Sequence, residues 1–217
     1  GATNLYAGLV DAWQSHTPLL AVTPVLSSSR YQGNSYQEAY VDFRPVTKYD
    51  AEVRSIDRMA EFFGKAYREM TTGAPRQVHQ YLDGALEAAE SEFDFRYLDQ
   101  RFFSYPAFRP RADDDLVEQA VRELRRAERP VMVCGRGTVV SGAWEEVTAL
   151  AEHLAIPVTT TLGGKGGIDD RHPLALGVTG SYRRPSTDQV ITESDVVFYV
   201  GGHHGGATTN LRQMPKP

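Results

Sequence analysis

Arg129-Pro-Val-Met-Val-Cys-Gly-Arg-Gly-Thr-Val-Val-Ser-Gly142 is the stretch on which the fold turns. Pro130–Cys134 is a short continuous apolar run of the kind that forms a strand buried on both faces. A glycine turn follows, and Ala143–Leu154 then carries helical spacing. The alternation continues with a strand at Ile156–Thr161, a glycine-rich loop, a helix at Pro185–Ser194 and a strand at Val196–Val200. Ahead of it, Asp113–Ala127 reads as a helix whose acidic start and basic end (Arg122, Arg125, Arg126) suit the helix dipole. Strands alternating with helices at this spacing predict right-handed βαβ units and a Rossmann-like parallel sheet. No internal repeat is visible.

The first half is also α/β. Leu5, Tyr6, Leu9, Val10 and Trp13 place an apolar stripe on a helix over Thr3–Gln14. Pro18–Val22 reads as a buried strand, Ser27–Ser35 as a loop, Ile56–Met70 as a helix and Val78–Leu82 as another strand. The breaker cluster Thr71-Thr-Gly-Ala-Pro75 ends the helix. From Glu87 to Ala112 charges alternate with seven aromatics, among them Phe93, Phe102 and Phe108. That content argues against a disordered linker, and predicts a connector packed across both domains. Both ends read as cut, so that Val22 and its neighbours would lack partners and expose apolar surface.

Composition excludes more than it assigns. Hydrophobic residues are 41% and charged residues 24% of 217, as in ordinary globular chains. A net charge of −5 supplies no basic footprint for nucleic acid, and no apolar run reaches the roughly 20 residues of a membrane span. The single cysteine, Cys134, reads as a buried strand thiol and favours a cytoplasmic setting.

Three glycine-rich loops follow the strands of the second half: Gly135–Gly142, Gly163-Gly-Lys-Gly-Gly167 and Gly201-Gly-His-His-Gly-Gly206. Gathered at the carboxyl ends of parallel strands, they would line the edge where α/β folds bind ligands. Plain strand exits account for glycines equally well. The first loop is not G-x-G-x-x-G, and Thr159-Thr-Thr161 offers no acid for a ribose. Adjacent His203 and His204 have no second ligand pair at metal spacing. His16, His79, His153 and His172 read as surface or hydrogen-bonded residues, and Asp113-Asp-Asp115 as a solvated helix start. No metal site, nucleophile elbow or P-loop is present.

Two ordered sets of motifs name a family. Gly1-Ala-Thr-Asn-Leu5, Pro18-Leu-Leu-Ala-Val-Thr23, Tyr36-Gln-Glu38 and Arg44-Pro-Val-Thr-Lys48 resemble the pyrimidine-binding domain of acetolactate synthases, which depend on thiamine diphosphate. Arg129–Gly135, Ser141-Gly142, Leu150–Leu154, Ile156-Pro-Val158, Thr161–Gly166, His172-Pro-Leu174, Ser194-Asp195 and Val200-Gly201 resemble the central domain of the same enzymes. The resemblance implies a partial pyrimidine-binding domain over 1–88, a connector over 89–112 and a central, nucleotide-binding-like domain over 113–217, incomplete at its C-terminus.

By the same resemblance, Gln37 would line the active site near the thiazolium, and Thr3 and Asn4 would lie beside the pyrimidine pocket. Gly135, Arg136, Gly137, Leu162, Gly163, Lys165, Gly201 and Gly202 would flank FAD or ADP. Thiamine diphosphate with Mg2+, a 2-keto acid substrate and a homodimeric or homotetrameric parent are also implied. The family's activating glutamate lies upstream of the Gly-Ala-Thr-Asn motif, and its Gly-Asp-Gly and Asn-Asn metal motif occurs nowhere here. Ala74 and Gly84 stand where the synthases carry a flavin-associated arginine and an active-site lysine, and Arg136 replaces a small glycine. These departures widen the parent activity to a related decarboxylase, carboligase or lyase, with no turnover by this segment alone. The competing readings are a non-catalytic ADP-, FAD- or NAD-binding module and an oligomerisation domain.

Overall fold

A computed structural model describes residues 2–25, 42–92, 99–203 and 205–209. The chain divides into two compact units, Gly1–Arg109 and Pro110–Pro217. The expected loop at Ser27–Ser35, and Gln37, lie outside the described residues.

In the first unit three parallel strands, β1 (Leu20–Val25), β2 (Tyr49–Val53) and β3 (Val78–Asp83), stand in the order β1-β3-β2. Helix α1 (Ala2–Gln14) covers one face, where Tyr6, Leu9 and Val10 pack with Ala21, Phe43 and Tyr81. Helix α2 (Met59–Thr71) covers the other, with Ala66 and Met70 against Val78, Leu20 and Tyr49. Alternate residues of each strand thus serve opposite helices.

Three differences from the sequence reading have physical causes. Strand β1 starts at Leu20 rather than Pro18, after His16 turns through φ 52° and Thr17 N–H closes back on Ala12 O at 3.0 Å. Pro24 sits inside β1 because β1 is a terminal strand of the three, where one ladder donor can be spared. Strand β2 was not predicted. Its Asp50 and Glu52 alternate with Tyr49, Ala51 and Val53, and a terminal strand needs little apolar content.

Arg76 fastens α1 to β3: its guanidinium lies 3.9 Å over the Trp13 ring and donates to Trp13 O at 2.5 Å. Lys48 donates to the carbonyls of Thr72 and Ala74 at 2.5 and 3.2 Å, capping the end of α2. The aromatic connector lies on α2. Phe103 meets Tyr67 at 4.9 Å between centroids, Arg68 covers Phe102 at 5.4 Å, and Ala107 N–H donates to Thr71 O at 3.2 Å. Val22 is 41% exposed, as are Leu5 at 41% and Leu19 at 40%.

The second unit is a four-stranded, all-parallel sheet in the order β6-β5-β4-β7. Its strands are β4 (Pro130–Cys134), β5 (Val158–Thr160), β6 (Ala175–Val178) and β7 (Val196–Val200). Helices α3 (Asp114–Arg126), α5 (Trp144–Leu154) and α6 (Pro185–Glu193) fall within a residue or two of their predicted spans. Asp113 caps α3 by accepting from Asp115 and Leu116 N–H, and the αL residue Ala155 ends α5. The stretch expected as a plain glycine turn instead forms a short helix, α4 (Arg136–Ser141), stopped by Gly142 at φ 69°. Strand β6 was missed because it is short and carries Gly177. Met132, Cys134, Val147, Ala151, Ile156, Val158 and Ile168 form the core beneath these elements.

Candidate functional site

The order β6-β5-β4-β7 places a reversal of chain direction between β4 and β7, because the chain runs outward through β5 and β6 and then returns to the far side of β4. Open α/β sheets form their ligand crevice at such a switch point, outside the carboxyl ends of the strands. Gly135, Arg136 and Gly137 leave β4 there, and Gly201 and Gly202 leave β7 beside them. The structure therefore brings five of the sequence-selected residues together.

How they meet is specific. Gly135 N–H donates to Val200 O at 2.8 Å and Gly137 N–H to Gly201 O at 2.7 Å. A Cβ on Gly135 would lie 2.4 Å from Gly202 Cα, and one on Gly137 would lie 2.7 Å from Gly201 Cα and O. These glycines are needed so that two backbones can touch. Their amides are taken by the carbonyls of Val200, the last residue of β7, and Gly201, which follows it.

The loop after β5 completes the rim. Thr161 N–H donates to Cys134 O at 2.8 Å, and Thr161 Oγ1 accepts from Gly164 N–H at 3.1 Å. Gly163 lies against the aliphatic part of Arg136, its Cβ position 3.4 Å from Arg136 Cβ. Leu162 is 60% exposed, and Lys165 pairs with Asp170. The Nε of Arg136 is buried without a hydrogen-bond partner among the described residues. Thr3 and Asn4 are exposed at the start of α1, in the first unit.

Beneath the rim, burial pushes the Cys134 thiol up to about 11. The thiolate is the reactive form, so Cys134 is expected to resist a thiol reagent at pH 8 in the folded chain and to react once denaturant is added. Stoichiometric labelling without denaturant would contradict this burial.

The sequence reading missed a buried polar relay in the first unit. His79, fully buried in β3, makes a 2.7 Å bond from Nδ1 to Asp50 Oδ1 on β2 and a 2.9 Å bond from Nε2 to Thr23 Oγ1 on β1. A carboxylate only accepts, so Nδ1 carries the proton and Nε2 accepts from the Thr23 hydroxyl. Phe43 and Tyr81 close over the ring at 4.3 and 4.1 Å between centroids. Burial lowers the His79 pKa, and the bond and charge of Asp50 act in the opposite direction. The signal was a histidine inside a strand of otherwise buried spacing, with an acid in the next strand. With His79 and Thr23 buried and Asp50 only slightly exposed, the relay ties the three strands together.

Among the described residues, no group of three or more His, Cys, Asp or Glu could hold a metal ion, and no helix is long and apolar enough to cross a membrane. The described residues do not fit a Mg2+–diphosphate group.

The fold defines two parallel α/β units, the second carrying a topological switch point between β4 and β7. The family described as "Thiamine pyrophosphate enzyme, central domain" matches residues 117–216. A probable acetolactate synthase large subunit from Methanocaldococcus jannaschii is 33% identical over 206 residues, covering 93% of this chain and 34% of the relative. An acetolactate synthase from Arthrospira platensis is 30% identical over 210 residues, covering 93% and 36%. The acetolactate synthase large subunit of Corynebacterium glutamicum is 30% identical over 215 residues, covering 96% and 33%. This chain belongs to the thiamine-diphosphate-dependent, acetolactate-synthase-like family. It spans about a third of the length of the curated relatives it matches.

Proposed function

We propose that these residues supply part of the pyrimidine-binding domain and most of the central domain of an enzyme that decarboxylates a 2-keto acid and transfers or releases the product. The observation that carries this reading is a similarity running through both units, 93% of the chain, to acetolactate synthase large subunits. When bound, thiamine diphosphate supplies the electron sink for the carbanion left by decarboxylation. The residues in hand build the scaffold: a parallel sheet carrying the Gly-Ala-Thr-Asn helix start, and a central sheet with its crevice. Gln37, Thr3 and Asn4 are assigned to the cofactor and substrate side. Arg136, Leu162, Gly163, Lys165 and the paired glycines are assigned to the crevice, for FAD or ADP. Mg2+, a cytoplasmic setting and a homodimeric or homotetrameric assembly belong to the same reading.

Mg2+ needs hard oxygen ligands together with the diphosphate, and neither Gly-Asp-Gly nor Asn-Asn occurs in this sequence. The 217-residue chain is therefore expected to release no CO2 from pyruvate in the presence of thiamine diphosphate and Mg2+, and to show no calorimetric heat with them. Turnover by this chain alone would overturn the assignment of roles. Coding sequence joined to this segment is expected to carry a glutamate upstream, and Gly-Asp-Gly with Asn-Asn downstream. Flanking sequence in the same reading frame without those residues would end the catalytic reading.

A further inference from the structure

In the second unit, α5 and the loop after β5 border a cleft of about 600 Å³. Trp144, Glu145, Thr148 and Glu152 line it from α5, and their spacing keeps them on one side of that helix. Ile168, buried in the core, and Asp169 line it from the loop. A concavity of this size lies in the range of small-molecule sites. Among the described residues its lining holds three carboxylates and no lysine or arginine.

Two of the carboxylates are already matched. Arg171 donates from Nη2 and Nε to the two oxygens of Asp169 at 2.8 and 3.1 Å. His172 Nδ1 accepts from Leu174 N–H at 3.2 Å, so the ring proton sits on Nε2, which donates to Glu152 Oε1 at 3.1 Å. Glu145 has no ion pair among the described residues. The two tryptophans of the chain differ in the same way. The Arg76 guanidinium lies 3.9 Å over the Trp13 ring in the first unit, whereas Trp144 is 47% exposed with no cation over it among the described residues. Solvent accounts for an exposed Glu145 or Trp144 taken singly. Together in one cleft they offer a ring to stack on and a carboxylate fork to accept two N–H bonds, the pairing that suits a planar guanidinium.

We propose that this cleft binds a guanidinium group carried on a small apolar body, with the cation stacked on Trp144 and paired with Glu145 and the body directed toward Ile168. The site stands apart from the glycine loops at the ends of β4 and β7, whether or not those hold a nucleotide.

Benzylguanidine and benzylurea test it, since they share a shape and differ in charge. Calorimetry on the 217-residue chain is expected to show saturable binding of benzylguanidine, with benzylurea on the order of tenfold weaker. Trp144→Ala and Glu145→Gln are each expected to weaken benzylguanidine on the order of tenfold. Glu146→Gln removes the same charge from the same helical turn but outside the cleft lining, and is expected to change affinity by no more than about twofold.

Absence of saturable binding overturns the site. Equal affinity for the two compounds overturns its preference for a cation. Equal losses in Glu145→Gln and Glu146→Gln reduce the attraction to the general field of the helix start, and overturn it as well. If Trp144→Ala does not fold, tryptophan emission decides. Benzylguanidine is expected to change the emission of the wild type and not that of Trp144→Phe, and an equal change in both overturns the stacking on Trp144.

Discussion

Gly164→Ala is expected to damage the second unit severely by steric contact alone. The added Cβ would stand 2.2 Å from Cys134 O and 2.8 Å from Gly135 C, both backbone atoms at the end of β4. No flexible side chain can swing aside, so either the loop after β5 or the strand itself has to move. Overpacking of this kind costs about 3 kcal/mol, or roughly 10–20 °C in Tm for a unit of this size. Gly164 has no left-handed backbone, which makes the effect steric. Gly166→Ala, with its φ of 93° and open surroundings, is the comparison, expected to cost about 1 kcal/mol. Thermal unfolding of the two variants checks the order. Equal losses would mean that the contact at Gly164 relaxes freely.

Asp50→Ala is expected to cost about 3 kcal/mol, because it strips the acceptor from a buried imidazole N–H while Thr23 keeps the other nitrogen engaged. His79 also makes the fold sensitive to acid, and the sign follows from the direction of its shift. Burial lowers its folded pKa from 6.5, so the unfolded chain binds the proton more readily. Its contribution is complete above about pH 6.5 and is lost as pH falls through the lower folded value, with a slope of at most about 1.4 kcal/mol per pH unit. Denaturant unfolding between pH 7.5 and 5 is expected to show this loss in the wild type and a shallower one in His79→Phe. A wild-type curve that stays flat or rises on acidification would contradict a neutral His79.

Much of this architecture could be read from the sequence, and the failures share a cause. Apolar runs such as Pro130–Cys134, almost wholly buried, and Val196–Val200, half-buried, mark strands whose ends coincide with the observed ones. Tyr49–Val53 and Ala175–Val178 escaped because the first interleaves Asp50 and Glu52 and the second is short and carries Gly177, compositions that a terminal strand tolerates. The glycine loops were correctly placed at one edge, but sequence could not say what their missing side chains make room for. In the structure that is another backbone, a relation between residues some 65 positions apart, as in Gly137 and Gly201. His79 could be read as a hydrogen-bonded residue, but its partners could not, since the three members of the relay become neighbours only when three strands pair.

That relay also works as a ruler. Asp50 stands directly opposite His79, and Thr23 lies one diagonal step away, opposite Tyr81. Sliding β3 by two residues would keep every side chain on its own face, and an all-apolar sheet would scarcely register the error. Here the same slip brings Tyr81 across from Asp50 and carries the imidazole past both of its partners. Hydrogen-bond chemistry in the middle strand therefore selects one alignment among several that hydrophobic burial alone would accept.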